Sequence, residues 1–410
     1  MKIFRREKYL EKIRGFYHDT GIIKVITGIR RCGKSCLMQS IVDELLAEGI
    51  PAKNIVYLNL DKRGFKSIKT PEQLEKSIDG LCTTSGTKYL FIDEIQNVTG
   101  FEEVLNAYRE DEEYSIFITG SNSYLLSGEL VTKLTGRYLE FEMFPLTFEE
   151  YLEMKVFKKL PVSPDVTEEL DRYIMEGGFP KTLDYSNTED KRRYVQGVIA
   201  EILEKDIRKR TKLRTISVFN TIQTYIINNF GSTTSLTNIL NDLHKAGSNI
   251  TRETLNRYIQ ILLDAKILYK CGRFDLKSRK SIAGEQKYYL SDLSFYFTTN
   301  TDNRINYGPV LENIIYLYAR SKDYSVSVGR IGKLECDFIM RSRESQYSYV
   351  QVAMTIMNSL DTENREYKPL ESIRDNYPKY VMTRNDIIQR RNGIIHANIG
   401  TFIKEHKMFT

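Results

Sequence analysis

Apolar positions in the first 150 residues follow two alternating patterns. Lys24-Val25-Ile26-Thr27, Ile55 to Leu60, Tyr89 to Ile92 and Ser115 to Thr119 are short, mostly apolar runs, and Tyr138 to Phe144, interrupted by Glu140 and Glu142, closes the series. Runs of this kind predict strands buried on both faces. Between them the apolar residues return at helical spacing. Leu37, Met38, Ile41, Leu45 and Leu46 mark a helix over Ser35 to Leu46, and two more are predicted from Pro71 to about Leu81 and from Phe101 to Arg109. Strands alternating with helices predict an α/β domain with a parallel sheet over residues 1–150.

The pattern changes further on. Residues 151–229 read as mostly helical. Ser235 to Leu243 predicts a short helix, followed by a turn at Gly247 and a second helix from Thr251, as N-cap, to Leu263. Ile267 to Lys270 and Gln286 to Leu290 predict a hairpin around a basic, Gly-containing tip. Helix, turn, helix and wing together predict a winged helix over residues 230–300. In residues 301–410, a helix is expected from Tyr307, a strand at Tyr324 to Val328, and a hairpin from Leu334–Met340 and Tyr347–Ala353.

Gly28-Ile29-Arg30-Arg31-Cys32-Gly33-Lys34-Ser35 stands between the first strand and the first long helix and matches G-x-x-x-x-G-K-[ST]. Two glycines let the backbone curl so that successive N–H groups face phosphate oxygens, and the helix behind adds its positive end. With Cys36 this segment is the expected nucleotide site. Lys34 would pair with the β- and γ-phosphates and Ser35 would hold Mg²⁺. Arg30 and Arg31 contact nucleotide, a partner or solvent. Asp93 and Glu94 end the strand Tyr89–Ile92. There Asp93 is the second metal holder and Glu94 the base that polarises an attacking water. A water-activating Glu favours nucleotide hydrolysis over transfer to a small molecule. Asn122, then Ser121, is the expected sensor of the γ-phosphate, with a plain turn as the alternative. Arg137 is expected to reach a γ-phosphate in its own or a neighbouring subunit, or else to be a solvated surface arginine.

Composition narrows the classes. The chain has 410 residues, 41% hydrophobic and 28% charged, with 27 Tyr, 19 Phe and 9 Pro, which speaks for folded domains over extensive disorder. No run nears the roughly 20 apolar residues that span a bilayer, and Met1 to Lys8 carries charges with no apolar run behind them. A cytoplasmic protein with no membrane partner is expected. Cysteines at 32, 36, 82, 271 and 336 form an odd set with no CxxC pair, so reduced thiols are expected in place of a disulfide framework. The net charge is +6, and Phe230 to Leu290 holds ten Lys/Arg against five Asp/Glu. This concentration points to DNA phosphates as partner, through Arg252 and Arg257 on the second helix and Arg273, Lys277, Arg279 and Lys280 in the wing. Winged helices also dock proteins, and that alternative stays open.

GIRRCGKS, LFIDEIQ, FITGSNS, LTGRY and FPLTFEEYL, in this order, resemble the AAA+ branch of P-loop ATPases. The chain is similar in particular to a bacterial and archaeal family related to archaeal origin-binding ATPases, with Phe144 to Leu152 and Glu176-Gly177-Gly178-Phe179-Pro180 as markers. The resemblance implies ATP and Mg²⁺ as cofactors and a homo-oligomer as a possible assembly. The implied order is an ATPase domain at 1–150, a helical lid at 151–229, a winged helix at 230–300 and an α/β domain at 301–410. Helix Glu312, strand Asp337 and Gln351 on the next strand resemble the restriction-endonuclease-like core, in which they would gather a divalent metal. That core places Lys two residues after Gln351, where this chain has Ala353. Either Lys368 or Arg365 reaches in, or the carboxylates are structural. An inactive nuclease-like scaffold is the expectation, and an ATP-regulated nuclease the alternative.

Overall fold

A computed structural model describes residues 2–81, 85–120, 134, 136–208, 216–300 and 305–410. The chain forms two compact units, Met1–Phe144 and Pro145–Thr410.

In the first unit, α1 (Glu7–Arg14) precedes β1 (Ile23–Gly28), α2 (Lys34–Ala47), β2 (Ile55–Asn59), α3 (Pro71–Leu81), β3 (Lys88–Asp93), α4 (Phe101–Glu110), β4 (Tyr114–Thr119) and β5 (Tyr138–Met143). Every strand pairing is parallel, in the order β2-β3-β4-β1-β5. β1 and β4 are buried at every position, which is why their sequences are apolar runs without alternation. From β1 the chain crosses to the sheet edge at β2 and returns through β3 and β4. The loops after β1 and β3 therefore open at one carboxyl edge, where open α/β sheets bind their ligands.

The second unit begins with α5 (Phe148–Phe157), α6 (Val166–Glu176) and α7 (Thr188–Glu201), which runs into a π-helical segment, Ile202–Arg208. Next come α8 (Ile216–Asn228), α9 (Leu236–Lys245), α10 (Arg252–Asp264), β6 (Leu268–Asp275), β7 (Lys280–Leu290), α11 (Ser294–Thr299) and α12 (Tyr307–Ser321). The unit closes with β8 (Ser325–Ile331), β9 (Leu334–Arg341), β10 (Tyr347–Val352), α13 (Leu360–Glu371), β11 (Lys379–Thr383), β12 (Arg390–Arg391), β13 (Ile394–Asn398) and α14 (Ile399–Lys404). Thr251 caps α10 as its sequence predicts, accepting from Thr254 N–H.

The hairpin β6–β7 does not stand apart. Arg273 to Asp275 pair in parallel with Val328 to Arg330 of β8, so residues 268–398 build one sheet, β12-β13-β11-β10-β9-β8-β6-β7. The expected segments 230–300 and 301–410 are thus joined by a shared sheet. No helix among the described residues is long and apolar enough to cross a membrane.

The segments Phe144–Leu152 and Glu176–Pro180 meet in space. Leu146 N–H donates to Gly178 C=O at 2.7 Å, and Gly178 N–H donates to the Asp292 carboxylate at 2.7 Å. A Cβ on Gly178 would lie 2.2 Å from Leu146 O, and one on Gly177 (φ 75°) 2.0 Å from Asp292 Oδ1. Only glycine fits this crossing. Asp292 is fully enclosed, and burial pushes its pKa up to about 6. Thr147 and Glu150 close a capping box on α5 beside it.

Candidate functional site

The loop between β1 and α2 is shaped by its glycines. Gly28 (φ 134°) and Gly33 (φ 114°) have backbone angles that L side chains rarely adopt, and a Cβ on Gly28 would lie 2.2 Å from Met143 O. Arg31, exposed, also has a positive φ of 70°. Lys34 opens α2 and is buried. Its ammonium donates to Gly28 O at 2.8 Å and Ile29 O at 3.2 Å, so it spans the loop it follows. Ser35 is exposed in the first turn of the same helix.

From below, Arg6 braces the loop. Its guanidinium is buried and donates to Cys32 O at 3.0 Å and Phe144 O at 2.7 Å, and it lies over the Tyr9 ring. Tyr9 Oη accepts from Phe144 N–H at 3.1 Å, which fixes the same turn of chain.

Asp93 and Glu94 stand at the end of β3. Asp93 is buried, accepts from Asn59 Nδ2 at 2.6 Å and from the Thr119 hydroxyl, and lies opposite Asn59 in the sheet. Thr119, the last residue of β4, also accepts from Glu94 N–H at 3.1 Å, so one hydroxyl sets both acidic residues. Glu94 is left-handed (φ 62°, ψ 46°), a conformation uncommon for a long side chain and concentrated at functional sites. Its carboxylate accepts from Gln96 Nε2 and lies 3.7 Å from the Arg30 guanidinium. Partial desolvation and then the nearby Asp93 charge raise the thiol pKa of Cys36, which is exposed in the first turn of α2. Asn122 and Ser121 lie outside the described residues.

Arg137 is not at this site in its own chain. Its carbonyl accepts from Ile23 N–H at 3.0 Å, and its guanidinium donates to Asn106 Oδ1 at 3.3 Å. In β1, Ile23 is paired with Tyr138 and Gly28 with Met143, so Arg137 lies at the amino end of the sheet. The strand length between, about 17 Å at 3.3 Å per residue, exceeds an arginine's reach. The expectation of contact within the same subunit is corrected on this ground.

In the second unit, Glu312, Asp337 and Gln351 do converge. Asp337 Oδ2 accepts from Val352 N–H at 2.8 Å, Asp337 N–H donates to Gln351 Oε1 at 3.4 Å, and Gln351 Nε2 donates to Glu366 at 3.0 Å. The cation sought near Ala353 comes from elsewhere. Lys287 of β7 donates to Glu312 at 2.9 Å and lies 3.4 Å from Glu335 and 3.6 Å from Asp337. Burial works to lower its pKa, but the carboxylates of Asp337, Glu312 and Glu335 outweigh it and hold the ammonium charged. Asp337 is pushed up by burial and then by the Glu312 charge. Arg365 bonds Glu366 and is otherwise exposed, and Lys368 faces solvent. Neither takes the role foreseen for it. Among the described residues no three His, Cys, Asp or Glu side chains form a metal-holding group.

Of the basic residues expected to meet DNA, Arg252, Arg257, Lys277, Arg279 and Lys280 are exposed. Arg273 is not available. Its guanidinium is bound by Glu285 and Glu335, which neutralise it inside the sheet.

Comparison with known proteins agrees with the fold of the first unit. An AAA domain is matched over residues 21–152, and a Domain of unknown function (DUF8612) over 167–303. An uncharacterised protein of Haemophilus influenzae is 33% identical over 381 residues, covering 92% of each chain. This chain belongs to that family of AAA-type P-loop ATPases. A relative in Methanocaldococcus jannaschii, also uncharacterised, is 28% identical over 375 residues, covering 89% of this chain and 82% of its own. A Walker-type ATPase of Pyrococcus abyssi shares the fold with a TM-score of 0.50 at 18% identity, covering 72% of this chain and 96% of its own.

Sequence reasoning on this AAA-type ATPase missed Arg6, Asn59, Thr119, Gln96 and Lys287. Thr119 and Asn59 carried a usable signal, since each is a polar residue closing an apolar strand next to the acidic one. Arg6 carried none, lying 26 residues before the carbonyl it braces.

Proposed function

We propose that the protein is a Mg²⁺-dependent ATP hydrolase that couples nucleotide state to a conformational change, and that it binds DNA through its winged helix. The observation that supports hydrolysis most is the grouping of Lys34, Asp93 and Glu94 at one sheet edge, the two acids tied together by Thr119. The donor set suits a hard cation: a buried carboxylate beside a solvent-facing hydroxyl at a helix start. Asp93 and Ser35 would hold Mg²⁺, which when bound neutralises phosphate charge. Lys34, already poised across the loop, would turn to the β- and γ-phosphates. Glu94 would take the proton of the attacking water, its carboxylate oriented by Gln96 and drawn by Arg30. Arg137, exposed at the opposite end of the sheet, would serve the site of a second copy.

Helices α8, α9 and α10, the hairpin β6–β7 and the bridge from Thr234 to Gln286 support the winged-helix reading. Arg252 starts α10, and Arg257 lies one turn on, over the Tyr258 ring. Replacing both by Ala should weaken duplex DNA binding and make its logarithmic salt dependence shallower by about 2. Fluorescence anisotropy at several salt concentrations checks this. Unchanged affinity would remove α10 from the DNA surface.

The nuclease alternative meets the Lys287 observation directly. The ammonium occupies the midst of Glu312, Glu335 and Asp337, and the amide of Gln351 is engaged on both its atoms. This favours an internally neutralised, nuclease-like scaffold. Lys287→Met would leave buried carboxylates uncompensated and should cost about 3–5 kcal/mol in denaturant unfolding. A loss below about 1 kcal/mol, or Mn²⁺-dependent cleavage of DNA by the wild type that Asp337→Asn abolishes, would favour the nuclease.

A further inference from the structure

The large sheet carries a cleft unrelated to the residues discussed so far for hydrolysis. It has a volume of about 820 Å³ and lies between the β6–β7 tip, the β8–β9 turn, the start of β10 and the segment after α13. Its floor is apolar and aromatic: Phe274, Tyr347 and Tyr377, all half-buried, pack on the core beneath. Tyr347 and Tyr377 meet edge to face with centroids 5.5 Å apart.

Four cations border this floor, from three separate segments: Lys277 and Arg279 in the β6–β7 tip, Arg341 at the end of β9, and Arg374 after α13. All four are exposed, and none makes an ion pair or side-chain hydrogen bond among the described residues. The acidic residue in the lining, Asp375, is already engaged. It accepts from Tyr349 Oη at 2.5 Å and Tyr377 N–H at 3.2 Å, and Lys379 lies 3.6 Å away. Arg341 and Tyr347 are cross-strand partners, so a cation and an aromatic ring are held side by side by the sheet itself.

A ligand that fits must be anionic at several points and must offer flat apolar faces. An inorganic anion would leave the aromatic floor unused. Duplex DNA hides its base faces in the stack, whereas a single strand presents bases to aromatic rings and phosphates to lysine and arginine. The volume lies in the range of built ligand sites, about 300–1,000 Å³. We propose that this cleft binds a single-stranded nucleic acid, with bases on Tyr347 and Tyr377 and phosphates on Arg341, Arg374 and the cations of the β6–β7 tip. The proposal stands apart from the ATPase reading and from α10, and it shares only the β6–β7 tip with the winged-helix surface.

The test is fluorescence anisotropy of the full chain with a labelled oligothymidine of about 12 nucleotides, long enough to fill the cleft and extend beyond it. Arg341→Glu with Arg374→Glu should lower affinity more than tenfold and flatten its salt dependence. Tyr347→Ala or Tyr377→Ala should each lower it about tenfold, and Tyr→Phe at the same positions should keep it, which separates stacking from a folding defect. Reversing Arg252 and Arg257 should leave it unchanged. The proposal is overturned if the wild type does not bind the strand, or if the charge-reversed variant binds as tightly. It is equally overturned if free ATP or polyglutamate displaces the strand at matched charge concentration.

Discussion

Lys34→Ala should abolish most ATP turnover, by about 100-fold or more, and weaken ATP binding about tenfold. Lys34 is buried at the start of α2, with its ammonium donating to the carbonyls of Gly28 and Ile29. An alanine leaves those carbonyls without their donor and removes the positive charge that would face the leaving and transferred phosphates. The loop keeps its other supports, the left-handed Gly33 and the brace from Arg6 to Cys32 O. Phosphate release and nucleotide binding, measured side by side, check it. Turnover within a factor of about three of wild type would place hydrolysis elsewhere.

Glu94→Gln separates binding from chemistry. Glutamine keeps the size and the hydrogen-bonding reach of Glu94 but cannot take a proton. It should lower turnover by about 100- to 10,000-fold and leave ATP binding within about threefold. Two features make Glu94 the sensitive residue. Its left-handed backbone is held by Thr119, and its carboxylate is shared between Gln96 and Arg30. Loss of binding along with turnover would mean that the Arg30 pair, and not water activation, is what Glu94 supplies.

The parts of this site that were legible in the sequence are those set by neighbours in the chain. Residues Gly28 to Ser35 announce a loop because each glycine is needed where it stands. Asp93 and Glu94 are readable as the end of an apolar run, and the strands and helices from β1 to β5 lie within a residue or two of where their patterns put them, whereas α1 was not foreseen. What was not legible depends on sheet order. Arg137 lies next in sequence to a strand that borders the phosphate loop's own strand, yet it enters from the other end. Thr119 meets Asp93 only because β4 is inserted between β3 and β1. Lys287 reaches Asp337 across 50 residues because the hairpin β6–β7 joins the sheet through β8, a pairing that no local periodicity encodes. The same joining turns Arg273, which looked like a phosphate contact in an exposed wing, into an internal counter-ion of Glu335.

The most direct test of ATP hydrolysis at this loop is phosphate release from ATP by the purified full chain, with and without duplex DNA, beside Glu94→Gln. The account predicts Mg²⁺-dependent turnover by the wild type, raised by duplex DNA, and a variant that binds ATP but does not turn it over. Tight nucleotide binding with no turnover by the wild type in either condition would contradict it, and would leave ATP as a structural ligand of an interaction scaffold.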